Sequence, residues 1–231
     1  MVSHKYKCIF VHIPKCGGLT ILDKFEKEFS QKELLTGRNR NPDLGPPRLN
    51  HLMAREYVDL NYLTQEQYDA YFKFSFVRNP WARFVSLYHY LGYSRIVDFN
   101  DFVYNFFEQK LWTSKKWYWF VRPQYDFLYD ENGNLMIDFL GKTENLQDDF
   151  KTACKKIEYS DYELSHKNKS SEKSNFHPLF IKLLIANPSK LFQYYKRETD
   201  KSGYKDYFNS DTKAFVNKFY EIDIDTFKYL Y

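Results

Sequence analysis

The segment Cys8-Ile9-Phe10-Val11-His12-Ile13-Pro14-Lys15-Cys16-Gly17-Gly18-Leu19-Thr20 decides the reading of this 231-residue chain. It begins as an apolar run, breaks at Pro14, turns through two glycines and continues with Leu22, Phe25 and Phe29 at helical spacing. Residues 7–13 therefore read as a central parallel strand, the turn as a tight loop, and 19–29 as a helix. A helix N-terminus presents unpaired backbone N–H groups and the positive end of its dipole, so its natural guest is an anion. Lys15 adds a full positive charge at the mouth of that loop.

The same order recurs downstream. Residues 71–77, Tyr-Phe-Lys-Phe-Ser-Phe-Val, form a second strand pattern, broken by Arg78-Asn79-Pro80. Pro80 suits the first turn of a helix over 81–91. Each strand thus places a cation at its carboxyl end, the edge where open α/β sheets bind ligands. Ser86 follows Arg78 by eight residues, about two turns into that helix.

The remaining chain fits an α/β fold, a central parallel sheet flanked by helices, in a single domain over 1–231. Residues 30–50 carry Gly37, Pro42, Gly45, Pro46 and Pro47 and read as a long loop ended by His51. Helical patterns cover 54–60, 100–111, 145–157 (with Asn145 as a cap) and 211–223. Thr64-Gln65-Glu66-Gln67 has the form of a capping box. Residues 112–120 are aromatic and ambiguous. Residues 125–129 and 135–140 flank Asp130-Glu131-Asn132-Gly133-Asn134, a hairpin signal. Residues 165–175 are polar and basic, a solvated linker on composition alone. Residues 178–195 suggest a helix interrupted at Pro188. There is no internal repeat.

Composition narrows the function classes. The 34 basic and 30 acidic residues leave a net charge of +4, which suits an anionic partner but is too mild to argue for nucleic acid. The 22 Phe and 21 Tyr can fill a core and leave rings for stacking. The three cysteines, Cys8, Cys16 and Cys154, are odd in number and lack metal-ligand spacing, as expected of reduced thiols; no metal is implied. No apolar run reaches the ~20 residues of a membrane span, and no signal peptide precedes the first strand, so a cytoplasmic enzyme without an anchor is expected. The loop is not a Walker A motif, whose Lys follows the glycines, and a GxGxxG fingerprint is absent.

With these residues in view a family resemblance becomes specific. His12-Ile13-Pro14-Lys15-Cys16-Gly17-Gly18 resembles the HIPKTGG signature of Golgi-type and bacterial carbohydrate sulfotransferases. Phe76-Val77-Arg78-Asn79-Pro80-Trp81-Ala82-Arg83-Phe84-Val85-Ser86 is similar to their FVRNPxxRxxS segment, and Gly141-Lys142-Thr143-Glu144-Asn145-Leu146 to a GRYENL stretch. Tyr204-Lys205-Asp206-Tyr207-Phe208 is similar to a YRDYY-like stretch, after an apparent insertion at about 176–203.

The resemblance implies a P-loop-like sulfotransferase fold. It also implies transfer of a sulfuryl group from 3′-phosphoadenosine 5′-phosphosulfate (PAPS) to an acceptor hydroxyl, leaving 3′-phosphoadenosine 5′-phosphate (PAP). By it, Lys15, Cys16, Gly17, Gly18, Leu19 and Thr20 would cradle the 5′-phosphosulfate, and Arg78 with Ser86 would hold the 3′-phosphate. Lys15 would neutralise the leaving group. His51 is the expected general base: its position matches a base region of the family, and an unperturbed imidazole titrates near 6.5. Ser170 and Lys173, in a stretch similar to a nucleotide-closing HxNxS loop, would contact phosphate or ribose. Arg122 and Gln124 are candidates to face the acceptor, a saccharide or glycolipid by family, with phenols still open.

The chain departs from the pattern at Cys16 and Leu19, where the family usually has Thr. A nucleotide kinase and a non-catalytic nucleotide- or nucleic-acid-binding module remain as alternatives, the first disfavoured by the order of Lys15 and the glycines.

Overall fold

Ile9, Phe10 and Val11 are apolar without alternation, and a strand of that kind is stable only when covered on both faces. The computed structural model, which describes residues 1–26, 28–39, 45–164 and 201–231, buries all four residues of that strand. In chain order the main elements are β1 (Val2–Ser3), β2 (Cys8–Val11), α1 (Gly18–Phe25), β3 (Phe72–Val77) and α2 (Pro80–Tyr90). A π-helix (Phe102–Leu111), α3 (Lys115–Val121), β4 (Phe139–Lys142), α4 (Leu146–Lys156), α5 (Ser210–Phe219) and α6 (Glu221–Phe227) follow. The strands form one sheet in the order β1-β2-β3-β4. The β2–β3 and β3–β4 pairs are parallel, while β1 is an antiparallel edge, so the sheet is mixed rather than wholly parallel.

Two compact units partition the described residues: 1–78 with 122–164, and 79–121 with 201–231. In the first, Cys8, Phe10, Phe74 and Phe76 line one face of the sheet. They meet Ile21, Leu22 and Phe25 of α1 and Phe150, Ala153 and Cys154 of α4 in one apolar cluster. The period-2 pattern of the strands and the 3.6-residue pattern of the helices converge on that cluster. In the second unit Phe84 of α2 packs against Phe99, Phe102, Phe107 and Tyr220. The buried Arg83 spends its charge on the Phe120 carbonyl and the face of Tyr220.

Local signals held at several boundaries. Thr64 and Gln67 make the reciprocal capping box, and Asn79 caps α2 with Pro80 in its first turn. The hairpin expected at 125–140 did not form. Tyr125–Leu128 is a helical turn, and the two flanks meet only at the Tyr129–Leu135 bridge. The Asp130–Asn134 turn is real: Gly133 has φ 80° and the Asp130 carboxylate accepts from the N–H groups of Asn132 and Asn134. The strand after it pairs in parallel with the buried β3 instead. Asn145 does not cap α4; its amide donates to Asp149. The helix expected over 211–223 is two, α5 and α6, meeting at Tyr220. Most of the insertion at 176–203, the helix at 178–195 and the polar stretch at 165–175 lie outside the described residues. Among the described residues no helix is long and apolar enough to cross a membrane.

Candidate active site

Parallel pairing sets Val11 opposite Ser75 and so brings the carboxyl ends of β2 and β3 to one edge. The Pro14–Gly18 turn leaves β2 at that edge and Arg78 ends β3 there. Arg78 Nη1 donates to the Lys15 carbonyl at 3.3 Å, which joins the two cationic motifs directly.

The turn is built from unusual backbone. Lys15 has φ 68° and Gly17 φ 77°, so a lysine occupies the left-handed region that only glycine enters at little cost. Gly17 is the N-cap of α1 and no side chain caps that end; the first turn carries no acidic residue. Gly18 has a different reason to be glycine. A Cβ there would stand 2.0 Å from Cδ2 of His12, so the imidazole of His12 fills the space a side chain would need. His12 is 3% exposed, and its Nδ1 has no hydrogen-bond partner among the described residues. Burial, then the neighbouring His51, holds His12 well below the usual histidine range, so it is a neutral ring.

Lys15 is half-buried. Desolvation, reinforced by the charge on Arg78, lowers its ammonium to about 8. Two cations held together at low solvation favour an anion as third partner.

His51 stands in a short 3-10 turn, Leu49–His51. Its Nδ1 lies 3.0 Å from the carbonyl of His12, and a carbonyl only accepts, so Nδ1 carries the proton in the neutral ring. Nε2 then holds the lone pair, the tautomer a general base requires. The His12 and His51 rings are 4.5 Å apart. Behind this turn Glu56, buried, accepts from the Met53 N–H at 2.7 Å, and burial raises its carboxyl to about 7.

Gln124 is fully buried and Cys16 is 1% exposed. Gln124 Oε1 accepts from the Arg78 N–H at 2.8 Å and from the Cys16 thiol at 3.1 Å, while Nε2 donates to the Arg78 carbonyl at 2.9 Å. Arg122 pairs with Asp126 at 3.0 Å and stacks over Phe127. Leu19, in the first turn of α1, is 57% exposed. Thr20 donates its backbone N–H to the Gly17 carbonyl.

The first unit therefore assembles Lys15, Cys16, Gly17, Gly18, Leu19, Thr20, His51, Arg78 and Gln124 around one strand edge, with Arg122 two residues before Gln124. Ser86 lies half-buried on α2 in the second unit. Ser170 and Lys173 lie outside the described residues. The part played by His12 was not foreseen, and Gln124 was expected as an acceptor contact and not as a partner of Arg78 and Cys16: each acts through a buried contact with residues distant in sequence. Two glycines after a histidine were the one available sign of the first. Among the described residues no group of three or more His, Cys, Asp or Glu side chains could hold a metal ion.

Comparison with known proteins defines the class. A sequence model described as the sulfotransferase family matches residues 1–230, and the chain belongs to that family. An uncharacterized protein of Archaeoglobus fulgidus is 35% identical over 98 residues, which are 42% of this chain and 76% of that protein.

Proposed function

We propose that this sulfotransferase moves a sulfuryl group from PAPS to a hydroxyl on a carbohydrate, within one domain that includes both units and has a P-loop-like donor site. The observation that carries the reading is the Arg78–Lys15 contact at the uncapped N-terminus of α1. It puts two cations and a helix dipole at one strand edge, a fit for a donor bearing phosphate at both its 3′ and 5′ positions. PAPS supplies an activated sulfuryl group whose S–O bond to the 5′-phosphate breaks as the acceptor oxygen bonds to sulfur.

In this reading Lys15 and the N–H groups of Gly17, Gly18 and Leu19, in the first turn of the loop–helix junction, neutralise the charge that grows on the leaving 5′-phosphate. His51 Nε2 accepts the proton from the acceptor hydroxyl, and the Nδ1–H···O=C bond to His12 keeps the lone pair on Nε2. Arg78 holds the 3′-phosphate side. The motif likeness alone adds Ser86, Ser170 and Lys173 to the donor contacts and Arg122 to the acceptor side. The reaction asks for positioning and charge neutralisation, as phosphoryl transfer does.

Transfer of labelled sulfate from PAPS to oligosaccharides, glycolipids and phenols tests the reading. Lys15→Ala is expected to lower turnover by about 100-fold or more while PAP still binds. His51→Ala is expected to lower turnover by ~10²–10⁴ with PAP affinity nearly intact. Unchanged turnover in either variant removes that residue from the mechanism. Transfer confined to phenols overturns the carbohydrate assignment.

A further inference from the structure

Arg78 is the first residue beyond β3, whose ladder to β4 ends at Val77 and Lys142. Its backbone continues as if a further strand were present, because the side-chain amide of Gln124 takes both its N–H and its carbonyl. The amide can sit only one way round: the Arg78 N–H must donate and the Arg78 carbonyl must accept. That orientation leaves Oε1 pointing at Cys16, whose thiol donates to it. The guanidinium of the same Arg78 reaches the Lys15 carbonyl. The four residues close a ring: Lys15 is bonded to Cys16, Cys16 to Gln124 through the thiol, Gln124 to Arg78 through the amide, and Arg78 to Lys15 through the guanidinium.

We propose that Gln124 is a positioning residue that locks the Lys15 loop and Arg78 in one register, and that Cys16 is its buried partner rather than a donor ligand. This rests on the donor-site reading above. The strained φ of Lys15 persists only where its surroundings over-determine it, and the ring supplies those constraints from both sides. Complete burial raises the stakes, since an amide that loses its partners there leaves unsatisfied polar atoms. The ring also accounts for Cys16. At this position the side chain turns inward to Gln124, so a thiol serves where a ligand-facing hydroxyl is not used. Gln124 thereby passes from a candidate for acceptor contact to a tie between the two halves of the donor grip.

The test measures PAP affinity by calorimetry and Cys16 alkylation by iodoacetamide, read by peptide mass. The variants are Gln124→Met, Cys16→Ala, Cys16→Ser and the double Gln124→Met/Cys16→Ala, with Ile157→Val as a destabilised control remote from the loop. Gln124→Met is expected to weaken PAP at least ~10-fold and to speed Cys16 alkylation, whereas Ile157→Val leaves both near wild type. Cys16→Ala weakens PAP less, Cys16→Ser restores it, and the double variant is no worse than Gln124→Met because both break the same bond.

PAP binding that is equal in wild type and Gln124→Met overturns the inference and leaves the donor reading standing. Should the wild type fail to bind PAP, the donor reading falls. Faster alkylation in Gln124→Met than in the control then still supports the ring, and equal alkylation overturns it. If Gln124→Met does not fold, the Cys16→Ala and Cys16→Ser pair decides: equal PAP affinity in the two overturns the inference.

Discussion

Lys15 has a left-handed backbone, a half-buried ammonium and the Arg78 guanidinium on its own carbonyl. Its pKa of about 8, against 10.5 for an ordinary lysine, makes the ligand-free site sensitive to pH. Between these values the folded state binds fewer protons than the unfolded chain, so this group's contribution to stability rises as pH climbs from about 8 toward 10.5. A bound anion works in the opposite sense, because it prefers the charged lysine. PAP affinity is therefore expected to be flat below about pH 7.5 and to fall above pH 8 by up to about tenfold per unit. Calorimetric titrations from pH 6.5 to 9.5 check this, and Lys15→Ala should flatten the profile. The strand-end positions of Lys15 and Arg78 were legible because each carries a local signal: a lysine before two glycines, an arginine after a strand. The supporting ones were not. Gln124 binds Arg78 across 46 positions and Cys16 across 108, and no local pattern encodes such a pairing.

At the level of elements, β2, β3, α1 and α2 followed from hydrophobic period and capping chemistry, since each carries its own start and stop signal. The junction between β2 and α1 adds a tertiary requirement. Gly17 is needed for its positive φ, but Gly18 is needed because the His12 ring lies where its Cβ would be. Gly18→Ala must push aside the buried ring of His12, whose backbone carbonyl holds His51. It is expected to cost about 1–3 kcal/mol of stability, as overpacked cores do, and to lower turnover as well. Gly203→Ala is the control, since nothing stands within 4 Å of a Cβ there. Denaturant unfolding of the two variants measures the difference, and equal midpoints would contradict the packing argument. The misread hairpin at 125–140 has the complementary cause. Its turn residues behaved as their chemistry dictates, but β3 offered the following strand a better partner than the preceding segment did. Local turn signals cannot report that competition. The break between α5 and α6 at Tyr220 is similar: Tyr220 is buried with its hydroxyl on the Val121 carbonyl, a tertiary contact within an otherwise continuous helical pattern.

For the molecule as a whole, the family match spans residues 1–230 and so includes both units, while the candidate site residues described in contact with one another lie in the first. The mild net charge of +4 is consistent with a site that concentrates cations locally instead of spreading them over a surface. Such a site should discriminate between nucleotides by where their phosphates sit. The most direct measurement is the shift in thermal midpoint of the wild-type protein with PAP and with ATP at equal concentration. A donor site of this kind predicts a rise with PAP that grows with the logarithm of its concentration, equivalent to about 2.7 kcal/mol of stability at one hundred times its Kd, and a much smaller rise with ATP. Equal stabilisation by the two nucleotides, or none by either, would contradict a donor site built on Lys15 and Arg78.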